Sequence, residues 1–191
     1  MNFPVVLLAG GEGRRIGGDK PLRLLGGERL IDHALRLART WSDCVRVAVP
    51  SGRALDSIDA EQILDDPLDG PLGGVSAAIR FARESGFDAV LVAPCDAPFL
   101  PADLAERLAA GIGLANVALA VGGGRPQPAC ALWQVAAEDG LRAYAETGRR
   151  SLIGLAEAVG YVAIGWDDDD PFLNINDEAD LARAEARIRS R

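Results

Sequence analysis

The chain has 191 residues, of which 49% are hydrophobic and 25% are charged, proportions typical of a folded globular protein. This length predicts one domain over residues 1–191 with one hydrophobic core. The formal net charge of −8 argues against non-specific binding to nucleic acid and against binding to an anionic membrane surface. Three widely spaced cysteines and no apolar segment long enough for a signal peptide or a membrane span predict a cytoplasmic protein without disulfides.

The first predicted element is a buried strand at residues 5–8, which leads directly into a glycine-rich loop at residues 10–20. Glycines let backbone amides approach an anionic ligand closely, and Arg14, Arg15 and Lys20 add positive charge. Open α/β sheets bind their ligands at the carboxyl ends of the strands. We therefore interpret residues 10–20 as a phosphate-binding loop, the alternative being a flexible surface loop with scattered basic residues.

This loop does not match the two commonest phosphate-binding motifs. A Rossmann fingerprint requires a glycine three positions after Gly13, where this chain has Ile16, and an acid after the second strand, which instead runs into Pro50. A Walker A motif requires lysine after its last glycine, whereas Gly18 is followed by Asp19. Both common motifs are therefore excluded for this loop.

Beyond the loop, predicted helices and strands alternate along the chain. The expected strands are residues 45–49, 62–64, 89–93, 117–121, 129–133 and 161–165. The expected helices are residues 30–40, 73–84, 101–110, 135–146, 152–159 and 178–189. This alternation predicts a three-layer, doubly wound α/β fold with a Rossmann-like, mostly parallel sheet. Residues 122–127 are predicted as a hairpin loop, which makes one strand of the sheet antiparallel.

Asp96 follows the strand at residues 89–93, a nearly continuous apolar run. Because parallel strands end at the same edge of a sheet, we expect Asp96 to lie near the glycine-rich loop. A carboxylate that faces phosphate groups needs a cation between them, and Mg²⁺ prefers one or two carboxylates together with phosphate oxygens. The alternative is that Asp96 caps the helix at residues 101–110 or stabilises the turn between Pro94 and Pro98.

Other polar segments are consistent with ordinary surface structure when composition alone is considered. The acids at residues 65–66 fit a turn before a helix, and the arginines in the second half of the chain fit solvated side chains. Within residues 174–177, Asn176 or Asp177 fits the N-cap of the last helix. The four acids at residues 167–170 are predicted as a solvated loop, the alternative being a cation site.

Residues 8–20 resemble the signature loop of the MobA-like nucleotidyltransferases, and within that family the branch that acts on the molybdenum cofactor with GTP. The matching segments are Leu8-Ala9-Gly10-Gly11, Arg15-Ile16-Gly17 and Asp19-Lys20. Further similar segments are Asp65-Asp66-Pro67, Gly70-Pro71-Leu72, Pro94-Cys95-Asp96-Ala97-Pro98, Gly148-Arg149-Arg150 and Asn174-Ile175-Asn176-Asp177. Related cytidylyltransferases usually carry Leu-Ala-Ala-Gly in the loop, so Gly10 favours the guanine branch.

The resemblance implies a nucleotide-diphospho-sugar-transferase-like fold and an enzyme that transfers GMP from Mg·GTP to the phosphate of molybdopterin, with release of pyrophosphate. The implied catalytic residues are Arg15, Lys20 and Asp96, and Asp96 is the implied Mg²⁺ ligand. The implied contacts to GTP are Leu8, Ala9, Gly10, Gly11, Lys20, Asp66 and Asp96. The implied contacts to molybdopterin are Arg125, Arg149, Asn174 and Asn176.

The implied partners are GTP, molybdopterin and proteins that deliver the cofactor or act as chaperones of molybdoenzymes. Two other functions stay open from the sequence. One is a molybdopterin cytidylyltransferase or a related enzyme of the same family. The other is an accessory protein that binds GTP without turnover.

Overall fold

A seven-stranded sheet forms the centre of the computed structural model, which describes residues 2–10 and 20–190. In chain order the strands are β1 (Val5–Leu8), β2 (Leu24–Leu25), β3 (Glu28–Arg29), β4 (Val45–Val49), β5 (Glu61–Leu64), β6 (Ala89–Pro94), β7 (Val117–Gly122), β8 (Arg125–Gln134) and β9 (Tyr161–Trp166). The α-helices are α1 (Leu30–Trp41), α2 (Pro71–Glu84), α3 (Leu104–Gly111), α4 (Glu138–Glu146), α5 (Leu152–Val159) and α6 (Glu178–Arg189).

The strand order across the sheet is β5-β4-β1-β6-β8-β7-β9, and β2 and β3 form a separate hairpin. β8 runs antiparallel to both of its neighbours, β6 and β7, whereas the other pairs in the sheet are parallel. Helices α1 and α3 pack on one face, and α2, α4 and α5 pack on the other. The predicted three-layer, mostly parallel α/β sheet with one antiparallel strand is confirmed.

Strand β6 lies at the centre of both hydrophobic layers. Leu91 and Ala93 contribute to the core on the α1 and α3 face, and Val90 and Val92 contribute to the core on the opposite face. All four side chains are completely buried. A strand covered on both faces needs apolar residues at every position, which explains the continuous apolar run in the sequence.

The predicted hairpin is confirmed, but its loop is shorter than residues 122–127, because β8 begins at Arg125 and the turn consists of Gly123 and Gly124. The first residues of β8 pair only with β7, since β6 pairs only with residues 131–134 of β8. The edge of this segment that faces away from β7 therefore has no neighbouring strand that needs its backbone amides. Pro126 and Pro128 are therefore tolerated in this strand.

Smaller differences occur at the helix starts. α3 begins at Leu104 and not at residue 101, because the intervening residues form a turn closed by the Leu104 amide on the Pro101 carbonyl at 3.0 Å. Residues Val135–Ala137 form a separate 3₁₀ turn before α4. The β2–β3 hairpin was not predicted, since two-residue strands are too short to show an alternating pattern. Among the residues that the structure describes, no helix is both long and apolar enough to span a membrane.

The central position of β6 predicts a large difference between two Leu→Ala substitutions. Leu91 is completely buried, so Leu91→Ala should lower the free energy of unfolding by about 2–5 kcal/mol, through lost burial and the cavity left behind. Leu64 lies in the edge strand β5 and is 56% exposed, so Leu64→Ala should change it by less than about 0.5 kcal/mol. Urea unfolding measures both values, and equal losses would contradict the described core.

Candidate active site

A cavity of about 850 Å³ opens at the edge of the sheet where the parallel strands β1, β4, β5 and β6 end. Its wall includes Gly10 after β1, Pro50 after β4, Asp65 after β5 and Asp96 after β6. The first turn of α2 completes the wall with Pro71. The sheet topology therefore brings segments that are distant in the sequence to one cavity, as expected for an open α/β sheet.

Lys20 is the single lysine of the chain, and its side chain is only 10% exposed in this cavity. The ammonium group forms an ion pair with Asp96 and donates a hydrogen bond to Asn176 Oδ1 at 2.8 Å. An ammonium group removed from water needs such partners, because burial without them costs several kcal/mol, an amount on the order of a protein's whole stability. Lys20, Asp96 and Asn176 thus form one polar cluster, and the expectation that Asp96 lies near the glycine-rich loop is confirmed at its last residue.

The backbone around Asp96 is fixed by the neighbouring strand and by the loop before α6. The Cys95 amide donates to the Leu8 carbonyl at 3.2 Å, which extends the β1–β6 pairing by one residue. The Asp96 carbonyl accepts a hydrogen bond from the Ile175 amide at 2.9 Å. Asp103, and not Asp96, occupies the N-cap position of α3, which removes the capping alternative for Asp96.

Asp65 and Asp66 both line the cavity but have different surroundings. Asp66 accepts hydrogen bonds from Ser76 on one oxygen and from Arg80 on the other, with 3.1 Å to Arg80 Nε. Asp65 Oδ1 is buried and has no hydrogen-bond partner in the structure. Burial, reinforced by the negative charge of Asp66, raises the pKa of the Asp65 carboxyl. The Asp66 side chain is therefore bonded to α2, whereas Asp65 has one carboxylate oxygen without a hydrogen-bond donor.

Glycines make room for this carboxylate. A Cβ atom at Gly74 would lie 3.4 Å from Asp65 Oδ1 and 2.7 Å from a methyl group of Leu8, which is too close. A Cβ at Gly10 would lie 3.4 Å from Asp65 Oδ2. The glycines of the first loop and of α2 thus allow β1, Asp65 and the helix to approach one another closely.

A second, smaller cavity of about 350 Å³ adjoins the first, because Asn174 lines both. Arg125, Asn176, Asp180 and Arg183 also line it. The Asn174 side-chain oxygen is buried without a hydrogen-bond partner. The two cavities therefore meet beside the Lys20–Asp96–Asn176 cluster.

Acidic residues close to the second cavity already have partners within the protein. The carboxylates of Asp168, Asp169 and Asp170 come within 4.8 Å of one another. Asp169 forms an ion pair with Arg125 at 3.1 Å, and Asp168 accepts a hydrogen bond from the Asp170 amide at 3.0 Å. The carboxylates of Asp168 and Asp169 therefore have partners within the protein.

Several residues of the predicted site lie outside the cavities or outside the described part of the chain. Gly11 and Arg15 fall in residues 11–19, which the structure does not describe. Ala9 is buried behind the cavity wall, where its amide donates to the Ala48 carbonyl at 2.9 Å. Arg149 lines neither cavity, and its guanidinium group lies over the Tyr144 ring at 5.4 Å from the centroid.

A family model for the MobA-like NTP transferase domain matches residues 5–159. The chain belongs to the MobA-like NTP transferase family. The matched range includes Lys20, Asp65, Asp66 and Asp96, so the larger cavity lies within the family domain. The resemblance seen in the glycine-rich loop is confirmed, and the protein is a nucleotidyltransferase of this family.

Relatives match almost the whole chain. A protein of Cereibacter sphaeroides named molybdenum cofactor guanylyltransferase is 42% identical over 187 residues, which cover 96% of each chain. A protein of the same name from Acidiphilium cryptum is 40% identical over 95% of this chain and 93% of its own. Similarity to these relatives therefore extends beyond the residues that the family model matches.

Solved structures show the same fold. The molybdopterin-guanine dinucleotide biosynthesis protein A of Archaeoglobus fulgidus superimposes with a TM-score of 0.82 at 26% identity, covering 99% of this chain and all of the other. The 2-C-methyl-D-erythritol 4-phosphate cytidylyltransferase of Thermus thermophilus has a TM-score of 0.75 at 21% identity, with 99% and 100% coverage. The nucleotide-diphospho-sugar-transferase-like fold that the resemblance implied is confirmed.

Sequence reasoning did not assign Asp65, Asp180 or Arg183 to the site, although all three line a cavity. Asp65 was considered only as part of a turn, although its position after β5 is the same kind of signal that selected Asp96. Asp180 and Arg183 lie in α6, where an acid in the first turn and a basic residue one turn later are common in any helix. No local pattern in that helix could have identified them.

The raised pKa of Asp65 predicts that its carboxylate lowers the stability of the fold. Ionisation of Asp65 is less favourable in the folded than in the unfolded state. The resulting loss of folding free energy is therefore present above the folded-state pKa and disappears as the pH falls. Asp65→Asn should therefore raise the Tm at neutral pH, by about 2–4 °C for each kcal/mol recovered in a chain of this size, and the gain should vanish towards about pH 4.

Asp66→Asn is the matched control, because it weakens the ion pair with Arg80 and should not raise the Tm. Calorimetry at several pH values measures both variants. An Asp65→Asn variant that is no more stable than the wild type at neutral pH would contradict the prediction.

Proposed function

We propose that this protein is a molybdenum cofactor guanylyltransferase, which transfers GMP from GTP to the phosphate of molybdopterin and releases pyrophosphate. The observation that carries the proposal is the Lys20–Asp96–Asn176 cluster at the junction of two cavities. A transferase with two substrates needs one site for each, with the reacting groups at the boundary. The names and the 34–42% identity of relatives over nearly their full length support the choice of substrates.

The larger cavity is assigned to GTP. Its volume of about 850 Å³ lies within the range of small-molecule sites, and it extends from the glycine-rich loop to the residues after β5. Leu8, Gly10 and Lys20 border the end assigned to the triphosphate. In this proposal Gly11 and Arg15 contribute from the same loop.

The base end of the cavity is assigned to Asp65 and Asp66. Guanine presents the N1–H and the N2 amino group as neighbouring donors, for which a carboxylate is a natural acceptor. Both oxygens of Asp66 already accept hydrogen bonds from α2, whereas Asp65 has an oxygen without a partner. In the proposed complex Asp66 shapes the wall and Asp65 accepts from the base.

The residues present fit a divalent cation at the phosphate end. Asp96 offers a hard carboxylate, 17% exposed, whose partner in the protein is the ammonium group of Lys20 and not a second acid. One carboxylate together with phosphate oxygens is the ligand set that Mg²⁺ prefers, so Asp96 would hold Mg²⁺. The ion would neutralise charge on the phosphates and stabilise the transition state electrostatically.

The chemistry requires positioning more than proton transfer. The attacking phosphate of molybdopterin is already ionised, so no general base is needed. Lys20 would bind negative charge that develops on the triphosphate and the leaving pyrophosphate. The low exposure of Lys20 and Asp96 strengthens these interactions, because little water competes for them.

The smaller cavity is assigned to molybdopterin. Arg125, Asn174 and Asn176 line it and offer a guanidinium group and two amides. A pterin edge carries both donors and acceptors, and amides can pair with either kind of group. Arg149, which lies over Tyr144, could join this site only by leaving its present position.

The assignment predicts the effect of removing either charged member of the cluster. Lys20→Ala and Asp96→Ala should each lower the rate of guanylyl transfer by at least about 10²–10³-fold, since a charge-assisted contact of the transition state is lost. Asp59→Ala is the control, because its side chain is 94% exposed and pairs with Arg39, and neither residue lines either cavity. Pyrophosphate release with GTP and molybdopterin measures the rates, and near wild-type turnover in either variant would refute the assignment.

Nucleotide preference separates this function from its alternatives. In the presence of Mg²⁺, GTP should raise the Tm more than CTP or ATP, since a ligand stabilises the folded state according to its affinity. A larger shift with CTP would indicate a cytidylyltransferase. GTP binding without pyrophosphate release in the presence of molybdopterin would indicate an accessory protein.

A further inference from the structure

Asp180 is a buried acid that the proposed chemistry does not use. Lys20 and Asp180 are the two charged residues buried below one tenth exposure in the part of the chain that the structure describes, at 8% and 7%. Lys20 has a role in the proposed transfer, whereas Asp180 has none there and lies in the first turn of α6, where it lines the second cavity. A buried charge is costly unless its hydrogen bonds repay the cost, so the partners of Asp180 indicate what it does.

These partners hold the loop that precedes α6. Asp180 Oδ2 accepts a hydrogen bond from the backbone amide of Asn176 at 2.8 Å, and Oδ1 accepts one from Arg183. The Asp180 amide donates in turn to Asp177 Oδ1 at 2.9 Å. Burial opposes ionisation of Asp180, but the hydrogen bonds from Asn176 and Arg183 outweigh it and lower the pKa. Asp180 is therefore an ionised anchor for the Asn176 backbone.

The same loop touches both charged members of the catalytic cluster. Asn176 Oδ1 accepts the hydrogen bond from Lys20 Nζ at 2.8 Å. The neighbouring Ile175 amide donates to the Asp96 carbonyl at 2.9 Å, and the Ile175 side chain is completely buried beside Leu25. A displacement of the Asn176 backbone would thus move the hydrogen-bond acceptor of Lys20.

We propose that Asp180 is a positioning residue for nucleotidyl transfer, which fixes the Asn176 backbone so that the Asn176 side chain orients the Lys20 ammonium group. This inference rests on the proposed function for its effect on turnover, but not for its effect on Lys20 itself. An acid in the first turn of a helix also stabilises the helix dipole. That role needs only the charge, whereas the positioning role needs an acceptor at this place.

Two substitutions separate these roles. Asp180→Ala removes the acceptor and should lower kcat by about 10- to 100-fold with little change in KM for GTP, because a displaced catalytic group loses rate more than binding. Asp180→Asn keeps an acceptor oxygen and should retain kcat within about threefold of the wild type. This change is small compared with the loss expected for Asp180→Ala. Glu178→Gln is the control for helix charge, since Glu178 is an exposed acid of the same first turn, and it should leave kcat unchanged.

A double-mutant comparison tests whether Asp180 acts through Asn176. In the Asn176→Ala background, Asp180→Ala should cause little further loss of kcat, since the acceptor that Asp180 positions is already gone. If the two substitutions lower kcat by independent factors that multiply in the double variant, Asp180 does not act through Asn176 and the inference is contradicted. Equal losses in Asp180→Ala and Asp180→Asn would assign Asp180 to helix charge alone and overturn the inference.

Lys20 offers a readout that is independent of turnover. Because it is the single lysine, selective ¹⁵N labelling of lysine gives one side-chain ammonium signal by NMR. Asp180→Ala should shift this signal as Asn176→Ala does, whereas Asp180→Asn and Glu178→Gln should leave it near its wild-type position. An unchanged signal in Asp180→Ala would refute the inference.

Stability and activity controls keep the two proposals distinguishable. Urea unfolding verifies that each variant is folded, and Asp180→Glu, which displaces the carboxylate by one methylene group, replaces Asp180→Ala if the latter does not fold. If wild-type protein releases no pyrophosphate from GTP and molybdopterin, the proposed function fails while the NMR comparison still tests Asp180. If the wild type is active and the Lys20 signal does not respond, the positioning role alone fails.

Discussion

The ion pair between Lys20 and Asp96 is the interaction on which the arrangement of the site depends. Neither charge tolerates burial alone, so each requires the other, and Lys20 also donates a hydrogen bond to the side-chain oxygen of Asn176. The pair exists because β1 and β6 are adjacent parallel strands that end at the same level, with Leu8 opposite Pro94. The loop before α6 completes it from the far end of the chain. The order of the strands in the sheet therefore brings the residues of this cluster together.

Much of this arrangement follows from local sequence patterns. The continuous apolar run of β6 is a strong signal, because this strand is buried on both faces. The helical spacing of apolar residues in α1 is also strong, because this helix is buried along one stripe. The meeting of Lys20 and Asp96 also follows from sequence, once both are placed after parallel strands. Such inferences succeed because they need only the rule that parallel strands end at one edge.

Other features depend on contacts that no local pattern records. Residues 125–127 were predicted as part of a loop, and only the register shows that they form a strand without a partner on one edge. Asp65 and Asp66 are equivalent in sequence, but only the fold assigns Asp66 to Ser76 and Arg80. The bond between Asp180 and the Asn176 amide is likewise visible only in three dimensions.

The residue beside Asp96 has a further consequence for how the protein withstands oxidants. Cys95 is 4% exposed, and burial, together with the negative charge of Asp96, raises the pKa of its thiol far above the ordinary value. Peroxides and disulfides react with the thiolate, so a cysteine that stays protonated is protected although it adjoins a functional carboxylate. Cys130 is buried and protonated for similar reasons, whereas Cys44 is half-buried. Oxidative damage should therefore begin at Cys44, just before β4, and spare the site.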